Sequence, residues 1–224
     1  MAFLKITLRR ALLRGFLLSV VASSLTTAPV SAAAPHASAE EGGPRYWEVV
    51  ELSGGLNLRE QPSTRAQVLS LYASGTILDN LDCLEAEERL WCDVQALGGG
   101  PRGFVAGEYL RPAVSPDGSV ATGPDKSALR AGQGRFDATG MLSCALLASQ
   151  PMGHCGYGVA RSGGGDATVL LKKPDSRTRA IYFRFGRPVG ADTGAFSAGR
   201  EGNLNFIRVG EERYEIPDAV IYGD

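Results

Sequence analysis

Apolar residues at every second position predict short strands in the first half of the chain. In Leu56-Asn57-Leu58-Arg59, two leucines alternate with polar residues, which is the period of a half-buried strand. Pro62 lacks a backbone donor and Ser63 favours a turn, so we expect this strand to end before them. Further runs predict strands at 77–81, 90–94 and 102–106, followed by a single helical turn at 107–110.

The same alternation returns after residue 135. Five apolar or alternating runs predict strands there, at 156–161, 167–172, 180–185, 203–209 and 213–217. The glycine-rich segment 162–166 lies between the first two runs and is a hairpin signal. Only Cys144–Ser149 has some helical character, enough for one or two turns. The pattern predicts an all-β chain whose last part, 135–224, is a small antiparallel β domain.

Four motifs mark the first β unit: L-N-L-R-x-x-P-S at 56–63, G-T at 75–76, W-C-x-V at 91–94 and G-F-V-x-x-x-Y-L at 103–110. Together they resemble the bacterial SH3 family, often called SH3b, and the likeness covers residues 45–113. The resemblance implies a five-stranded SH3-like barrel. Residues 135–224 resemble no catalytic family.

The candidate binding residues of the barrel are Arg59, Trp91, Phe104 and Tyr109. Arg59 alternates out of the core beside Leu58, so it either pairs with an acid such as Glu60 or Asp93 or faces a ligand. Eukaryotic SH3 domains grip polyproline helices with aromatic rings. This chain lacks the tyrosine-rich motif that builds their groove, so we expect most of its rings to serve packing.

The first 32 residues predict an export signal. Lys5, Arg9, Arg10 and Arg14 precede a short apolar run at 16–22, and the small residues of 30–32 favour cleavage after Ala32, with Ala33 as the alternative. The apolar run is too short to span a bilayer, and no later segment approaches the length required. The location predicted is periplasmic or secreted. General secretion and twin-arginine export both stay open, since the two adjacent arginines fit the second route loosely.

Charge argues against two classes of partner. The whole chain has a formal net charge of −1, and the segment removed with the signal carries four basic residues and no acidic one. Residues 45–113 hold six basic and ten acidic side chains, and residues 114–224 hold thirteen and twelve. Nucleic acids and anionic membrane surfaces attract concentrations of lysine and arginine, and neither part has one.

Four cysteines lie in two local pairs after the signal. Three connectivities are possible, and proximity favours Cys83–Cys92 and Cys144–Cys155. A zinc site is the alternative, but it needs C-x-x-C spacing or several histidines, and only His36 and His154 are present. We predict two disulfides, no metal and no cofactor.

Two segments are predicted to be flexible. Residues 33–44 are rich in alanine, glycine and proline, and residues 114–134 show no amphipathic period. The predicted organisation is therefore a signal at 1–32, a leader at 33–44, a barrel at 45–113, a linker at 114–134 and a β domain at 135–224.

Catalytic chemistry is scarce. SH3b domains accompany cell-wall cysteine peptidases and transpeptidases, but the residues around His154-Cys155 do not match their motifs, and neighbours in a strand point to opposite faces. The segment 162–166 lacks the Lys-Ser or Lys-Thr of a phosphate loop and the several acids of a calcium loop. The remaining carboxylates lie beside turn residues, at Asp137, Asp166, Asp192, Glu201 and Asp218. We therefore expect that the protein is not an enzyme.

The sequence thus predicts a non-catalytic binding protein of the periplasm. The SH3b resemblance implies peptidoglycan stem peptide or an envelope protein as the ligand. Two alternatives stay open: a cell-envelope hydrolase of an unfamiliar kind, and an inhibitor or chaperone-like partner of such an enzyme. A serine, a histidine and a carboxylate meeting in one cleft would favour the hydrolase, whereas an open aromatic groove would favour the binding protein.

Overall fold

The computed structural model describes residues 36–50, 52–173 and 175–223. The predicted export signal and its cleavage site after Ala32 lie outside the described residues. The described chain is mostly β-strand, in two antiparallel sheets. The prediction of an all-β chain with two antiparallel β units is confirmed.

The first sheet holds the strands β1 (Tyr46–Val49), β2 (Leu56–Arg59), β3 (Val68–Tyr72), β4 (Ile77–Ala86), β5 (Arg89–Ala96), β6 (Arg102–Ala106) and β7 (Leu110–Pro112). Their order is β3-β2-β6-β5-β4-β1-β7, and a 3-10 turn at Gly107–Tyr109 precedes β7. The sheet has seven strands rather than the five that the resemblance implies, because short strands at 46–49, 68–72 and 110–112 add to the four strands that the alternation predicts.

Alternation in the sequence places the core of the first sheet. Leu56 and Leu58 are buried on β2 while Asn57 is exposed, as the period of two predicts. Cys92 and Val94 from β5 join the same cluster, together with Trp47 from β1. Burial of these apolar side chains, at about 25 cal/mol per Å² of surface removed from water, is the main stabilising term for so small a unit.

The second sheet holds β8 (Ala138–Ala145), β9 (Gly153–Gly163), β10 (Asp166–Lys172), β11 (Thr178–Arg184), β12 (Arg187–Ala191), β13 (Phe196–Glu201), β14 (Leu204–Val209) and β15 (Glu212–Pro217). Its order is β12-β11-β10-β9-β8-β15-β14-β13, and its edge strands contact each other, so the sheet curls back toward a barrel. Alternate side chains fill the interior, as on β10, where Val169 and Leu171 are fully buried.

Two short helices accompany the second sheet: α1 (Ser127–Gly132) packs on β9 and β10, and α2 (Asp218–Tyr222) follows β15. The helical turns predicted for Cys144–Ser149 are wrong. Cys144 and Ala145 instead end β8, because Cys144 pairs with Gly153 across the ladder and faces the core. Neither helix in the described chain is long and apolar enough to cross a membrane.

Both predicted disulfides are present. Cys83–Cys92 joins directly opposite residues of β4 and β5. Cys144–Cys155 joins β8 to β9, and both of its cysteines are buried in the core of the second sheet. The described chain has no free cysteine. Each bridge ties two neighbouring strands and stabilises the fold mainly by restricting the unfolded chain.

The predicted linker is not the unpacked segment expected from its sequence. Ala121 is 4% exposed and packs with Tyr46, Ala113 and Phe185, and its carbonyl accepts a hydrogen bond from the Arg45 N–H at 2.8 Å. A Cβ atom on Gly164 would lie 2.4 Å from the Ala121 Cβ, so the hairpin needs glycine there for this contact as well as for its positive φ. Small buried alanines give no apolar run, so the sequence pattern does not reveal this packing.

A cluster of five polar side chains joins the two sheets; we call Arg45, Tyr46, Asp79, Asp166 and Arg184 the interface cluster. All of them are buried except Arg184, which is partly exposed. Arg45 bonds Asp166 at 2.6 Å, and the Tyr46 hydroxyl donates to the same carboxylate at 2.8 Å. Arg184 bonds Asp79 at 2.7 Å. Burial raises the pKa of Tyr46, and Asp166 raises it further, so the hydroxyl stays protonated and donates. The two sheets are thus held in one compact unit.

Candidate functional site

A groove of about 280 Å³ opens on the first sheet. The connection between β1 and β2 forms one side of it, through Leu52, Ser53 and Gly55. Arg59 at the end of β2 and Thr64 in the following loop form another side. Arg89, Trp91 and Tyr109 complete it from β5 and the 3-10 turn. Turn residues and strand ends therefore supply most of its polar groups.

Trp91 lies on the groove side of β5 rather than in the main core. Its neighbours Cys92 and Val94 belong to the core cluster, and Trp91 does not. Because side chains alternate across a strand, the indole of Trp91 projects from the opposite face to that of Cys92. The indole is nevertheless 1% exposed, so other groove residues cover it. One of them is Arg89, whose guanidinium carbon lies 6.0 Å from the ring centroid.

Arg59 holds the loop that follows β2. Its Nη1 donates to the Ala66 carbonyl oxygen at 2.8 Å. The acid partners that the sequence suggested are not used, since Asp93 bonds Arg102 at 2.5 Å and Glu60 is not among the ion-pair partners within the described chain. Arg59 is half-buried and lines the groove. It therefore combines a structural hydrogen bond with a position on the groove wall.

Arg89 forms the exposed rim of the groove. Its Nε lies 3.1 Å from a carboxylate oxygen of Glu108, and both side chains are about 40% exposed. Ion pairs this exposed contribute little to stability, about 0–1 kcal/mol. A second acid, Glu87, lies near the loop and accepts a hydrogen bond from Ser63 at 2.8 Å.

The structure brings together three of the four candidate binding residues. Arg59, Trp91 and Tyr109 line the groove, whereas Phe104 is half-buried on β6 opposite Asp93 and Arg59 and does not line it. The sequence interpretation missed Arg89. Its signal was available, because Arg89 lies two residues before Trp91 and so shares a face of β5 with it.

A second cleft, of about 680 Å³, opens where β8 and β15 separate. The two strands pair only from Arg213–Ala145 to Glu215–Ser143, while β8 continues along β9 to Ala138. Leu142 and Val220 contribute apolar surface to the cleft. Ser143, His154 and Glu215 also line it, so a serine, a histidine and a carboxylate do meet in one place.

Their arrangement does not match a catalytic triad. Ser143 is paired with His154 on one side and with Glu215 on the other. Neighbouring strands lie about 4.8 Å apart, so the strands of His154 and Glu215 are about 10 Å apart. A triad needs the carboxylate to orient the histidine, and the histidine to bond the serine. Within the described part of the chain, no hydrogen bond joins these three side chains.

Four of the five other carboxylates that the sequence offered bind arginines, whereas the fifth, Glu201, is exposed. Four ion pairs take them up: Arg45–Asp166, Arg130–Asp137, Arg179–Asp192 and Arg200–Asp218. The hydrogen bond from Arg130 lowers the pKa of Asp137. No group of three histidine, cysteine or carboxylate side chains that could hold a metal ion occurs in residues 36–50, 52–173 and 175–223.

Residues 54–111, which form most of the first sheet, match the model of the bacterial SH3 domain family. The match ends before the second sheet begins. No curated protein and no solved structure matches the chain.

Proposed function

We propose that this chain is a non-catalytic binding protein of the bacterial cell envelope. In this proposal the groove of the bacterial SH3 domain binds the stem peptide of peptidoglycan or a peptide segment of an envelope protein. The observation that carries the proposal is the open groove lined by Arg59, Arg89, Trp91 and Tyr109. Aromatic and arginine side chains are enriched where proteins bind partners, and here they converge on one concave surface.

The compartment is inferred from independent features. Two disulfides fit an extracellular protein, because thiols are kept reduced in the cytosol. The predicted export signal at 1–32 points to the same side of the membrane. Peptidoglycan is a ligand available there, and bacterial SH3 domains commonly bind cell-wall components.

Co-sedimentation with purified peptidoglycan tests the proposal, using residues 33–224, the predicted mature chain, with both disulfides oxidised. We expect the wild-type chain to sediment with peptidoglycan and Arg89→Gln to stay largely in solution. The matched control is Arg102→Gln, because Arg102 is also exposed and paired with an acid but lies outside the groove. Equal sedimentation of both variants and the wild type would remove the groove from the proposal. No sedimentation of the wild type would reject peptidoglycan as its ligand.

A hydrolase stays the alternative because Ser143, His154 and Glu215 line one cleft. We propose that the cleft does not catalyse hydrolysis, since the serine lies between the other two side chains. Peptidoglycan incubated with the protein should release no soluble fragments. Fragments released by the wild type and absent with His154→Ala, at unchanged folding, would establish the hydrolase instead.

A further inference from the structure

The indole N–H of Trp91 is a buried donor without a partner. Nε1 has less than 1 Å² of exposed surface, and no acceptor among the described residues bonds it. More than nine in ten buried polar groups in folded proteins have a partner, so each exception calls for a reason. Trp91 lines the groove and is not part of the main core, and Arg89 over its ring is held only by an exposed ion pair with Glu108. A ligand that moves the Arg89 side chain aside therefore reaches the indole N–H and supplies the missing acceptor.

Among the described residues, the groove surrounding this donor is rich in other donors and contains no acid. Arg59 uses Nη1 for the Ala66 carbonyl, which leaves its other N–H groups without a hydrogen bond to the described chain. At the rim of the groove, the Nε of Arg89 lies 3.1 Å from a carboxylate oxygen of Glu108. Asn57 and Thr64 also line the groove, and none of the described aspartates and glutamates does. Such a set of donors matches a ligand that presents acceptors and a negative charge.

We propose that the groove recognises the terminal carboxylate of a peptide, with the indole N–H of Trp91 and the guanidinium groups of Arg59 and Arg89 as its donors. The inference rests on the proposed binding function and names the ligand chemistry of the same site. A planar guanidinium and a carboxylate form short, charge-assisted hydrogen bonds.

A peptide carboxylate fits better than a polyanion. Residues 45–113 carry ten acidic and six basic side chains, so the domain repels an extended polyanion such as a polyphosphate chain or a nucleic acid. Two of those acids, Glu87 and Glu108, lie next to the groove. The groove is also slightly smaller than the usual range of about 300–1,000 Å³ for small-molecule sites. A single carboxylate at the end of a peptide fits the small groove volume, and its one charge is repelled less than a polyanion by the acidic domain and by Glu87 and Glu108.

Nuclear magnetic resonance of the indole N–H groups tests this directly. The chain has two tryptophans, so two indole signals are expected, and Trp91→Phe assigns them. Trp47 is the internal control, because its indole N–H is also buried with no partner among the described residues but lies in the main core. The probes are N-acetyl-alanyl-alanine in its L,L and D,D forms, the C-terminal amide of each, and inorganic phosphate. The protein is residues 33–224 with both disulfides oxidised.

We expect at least one free acid to move the Trp91 indole signal downfield, and the Trp47 signal to stay in place. The matching amide should bind about tenfold more weakly or worse, because it loses the charge-assisted bonds. Arg89→Gln should weaken binding of the free acid and leave binding of the amide unchanged, while Arg102→Gln should change neither affinity.

Three results would overturn the inference. Equal binding of acid and amide would show that the groove holds a peptide without using its carboxylate. Equal binding of phosphate would make the groove a general anion site. A Trp91 signal that responds to no probe, in a protein whose sedimentation with peptidoglycan depends on Arg89, would reject the carboxylate and leave the proposed function standing. Failure of the wild-type chain to sediment with peptidoglycan is the separate result that counts against the proposed function.

Discussion

Arginine side chains meet two different environments in this molecule. In the interface cluster, Arg45 bonds Asp166 at 2.6 Å, and Arg184 bonds Asp79 at 2.7 Å. In the groove, by contrast, Arg59 bonds a backbone carbonyl, and Arg89 meets an acid only at the exposed rim. The first two arginines are neutralised by buried carboxylates, and the groove arginines keep donors that face a cavity.

This difference separates structural charges from charges available to a ligand. A buried charge is tolerated only when it is paired and hydrogen-bonded, so removing one partner leaves the other at a high cost in free energy. An exposed pair costs little to break. The interface cluster should therefore govern stability and the groove should govern binding.

Asp166→Ala should have the largest effect on stability. The substitution removes the acceptor of Arg45, of the Tyr46 hydroxyl and of the Phe185 N–H, and leaves Arg45 buried without its counter-charge. We expect the free energy of unfolding to fall by about 3–5 kcal/mol, measured by urea denaturation at pH 7 with the disulfides intact. The control is Asp93→Ala, which breaks the exposed pair with Arg102 and should cost under about 1 kcal/mol. Equal losses of unfolding free energy in the two variants would show that the buried and the exposed ion pair do not differ in their contribution to stability.

Removal of the first disulfide should come next in size. Cys83 and Cys92 are nine residues apart and join β4 to β5, the strand that carries Arg89 and Trp91. Replacing both cysteines by serine should lower the unfolding free energy by about 2–3 kcal/mol. Peptide mapping without reductant should first find the Cys83–Cys92 and Cys144–Cys155 linkages in the wild type. A loss below about 0.5 kcal/mol would mean that the β4–β5 ladder alone holds these strands.

The pH dependence of stability extends the comparison to the second sheet. Glu212 accepts hydrogen bonds from Lys173 at 2.9 Å, Arg179 at 2.7 Å and the Tyr214 hydroxyl at 2.8 Å. Burial by itself raises the pKa of Glu212, but these three hydrogen bonds outweigh it and lower the pKa to about 2. The pKa in the folded protein thus lies below the ordinary 4.5, so the stabilisation is present above pH 4.5 and is lost as the pH falls toward 2.

The unfolding free energies of the wild type and of Glu212→Gln, compared from pH 7 down to about pH 2.5, measure this effect. The wild type should be the more stable protein at pH 7, and the difference in unfolding free energy between the two proteins should narrow below pH 4.5. A difference that stays constant over this range would show that the Glu212 charge does not contribute to stability.

Arg89→Gln should have the smallest effect on stability. Its pair with Glu108 is exposed, so the unfolding free energy should change by less than about 1 kcal/mol. Arg45→Gln should cost several times more, because it leaves Asp166 buried without its cation. Thermal or urea unfolding of the two variants side by side gives the ratio, and similar losses would place Arg89 among the structural charges.

The sequence predicts local features of this fold well. Leu56 and Leu58 alternate into the core as expected, and the glycines at 163–165 adopt the positive φ of a tight turn. The two disulfides also follow from sequence spacing, because each joins neighbouring strands. These features depend on residues close together in the chain, so a one-dimensional pattern contains them.

Contacts between distant segments could not be predicted in the same way. Asp166 follows three glycines and has the sequence context of a turn acid, yet its partner Arg45 lies 121 residues away. The packing of Ala121 was hidden because an alanine between polar residues gives no apolar run. For the groove, the alternation of β5 already placed Arg89 on the face of Trp91. Only the structure shows that Trp91 is covered and that its N–H has no partner among the described residues.

The most direct test of the account is to map where cell-wall fragments touch the protein. Isotope-labelled residues 33–224 are titrated with soluble peptidoglycan fragments, and the shifts of the backbone amide signals are followed. The account predicts shifts concentrated at 52–66 and 89–109, around the groove, with the cleft at Ser143, His154 and Glu215 unaffected and the fragments intact at the end. Shifts centred on that cleft, or fragments shortened during the titration, would contradict it.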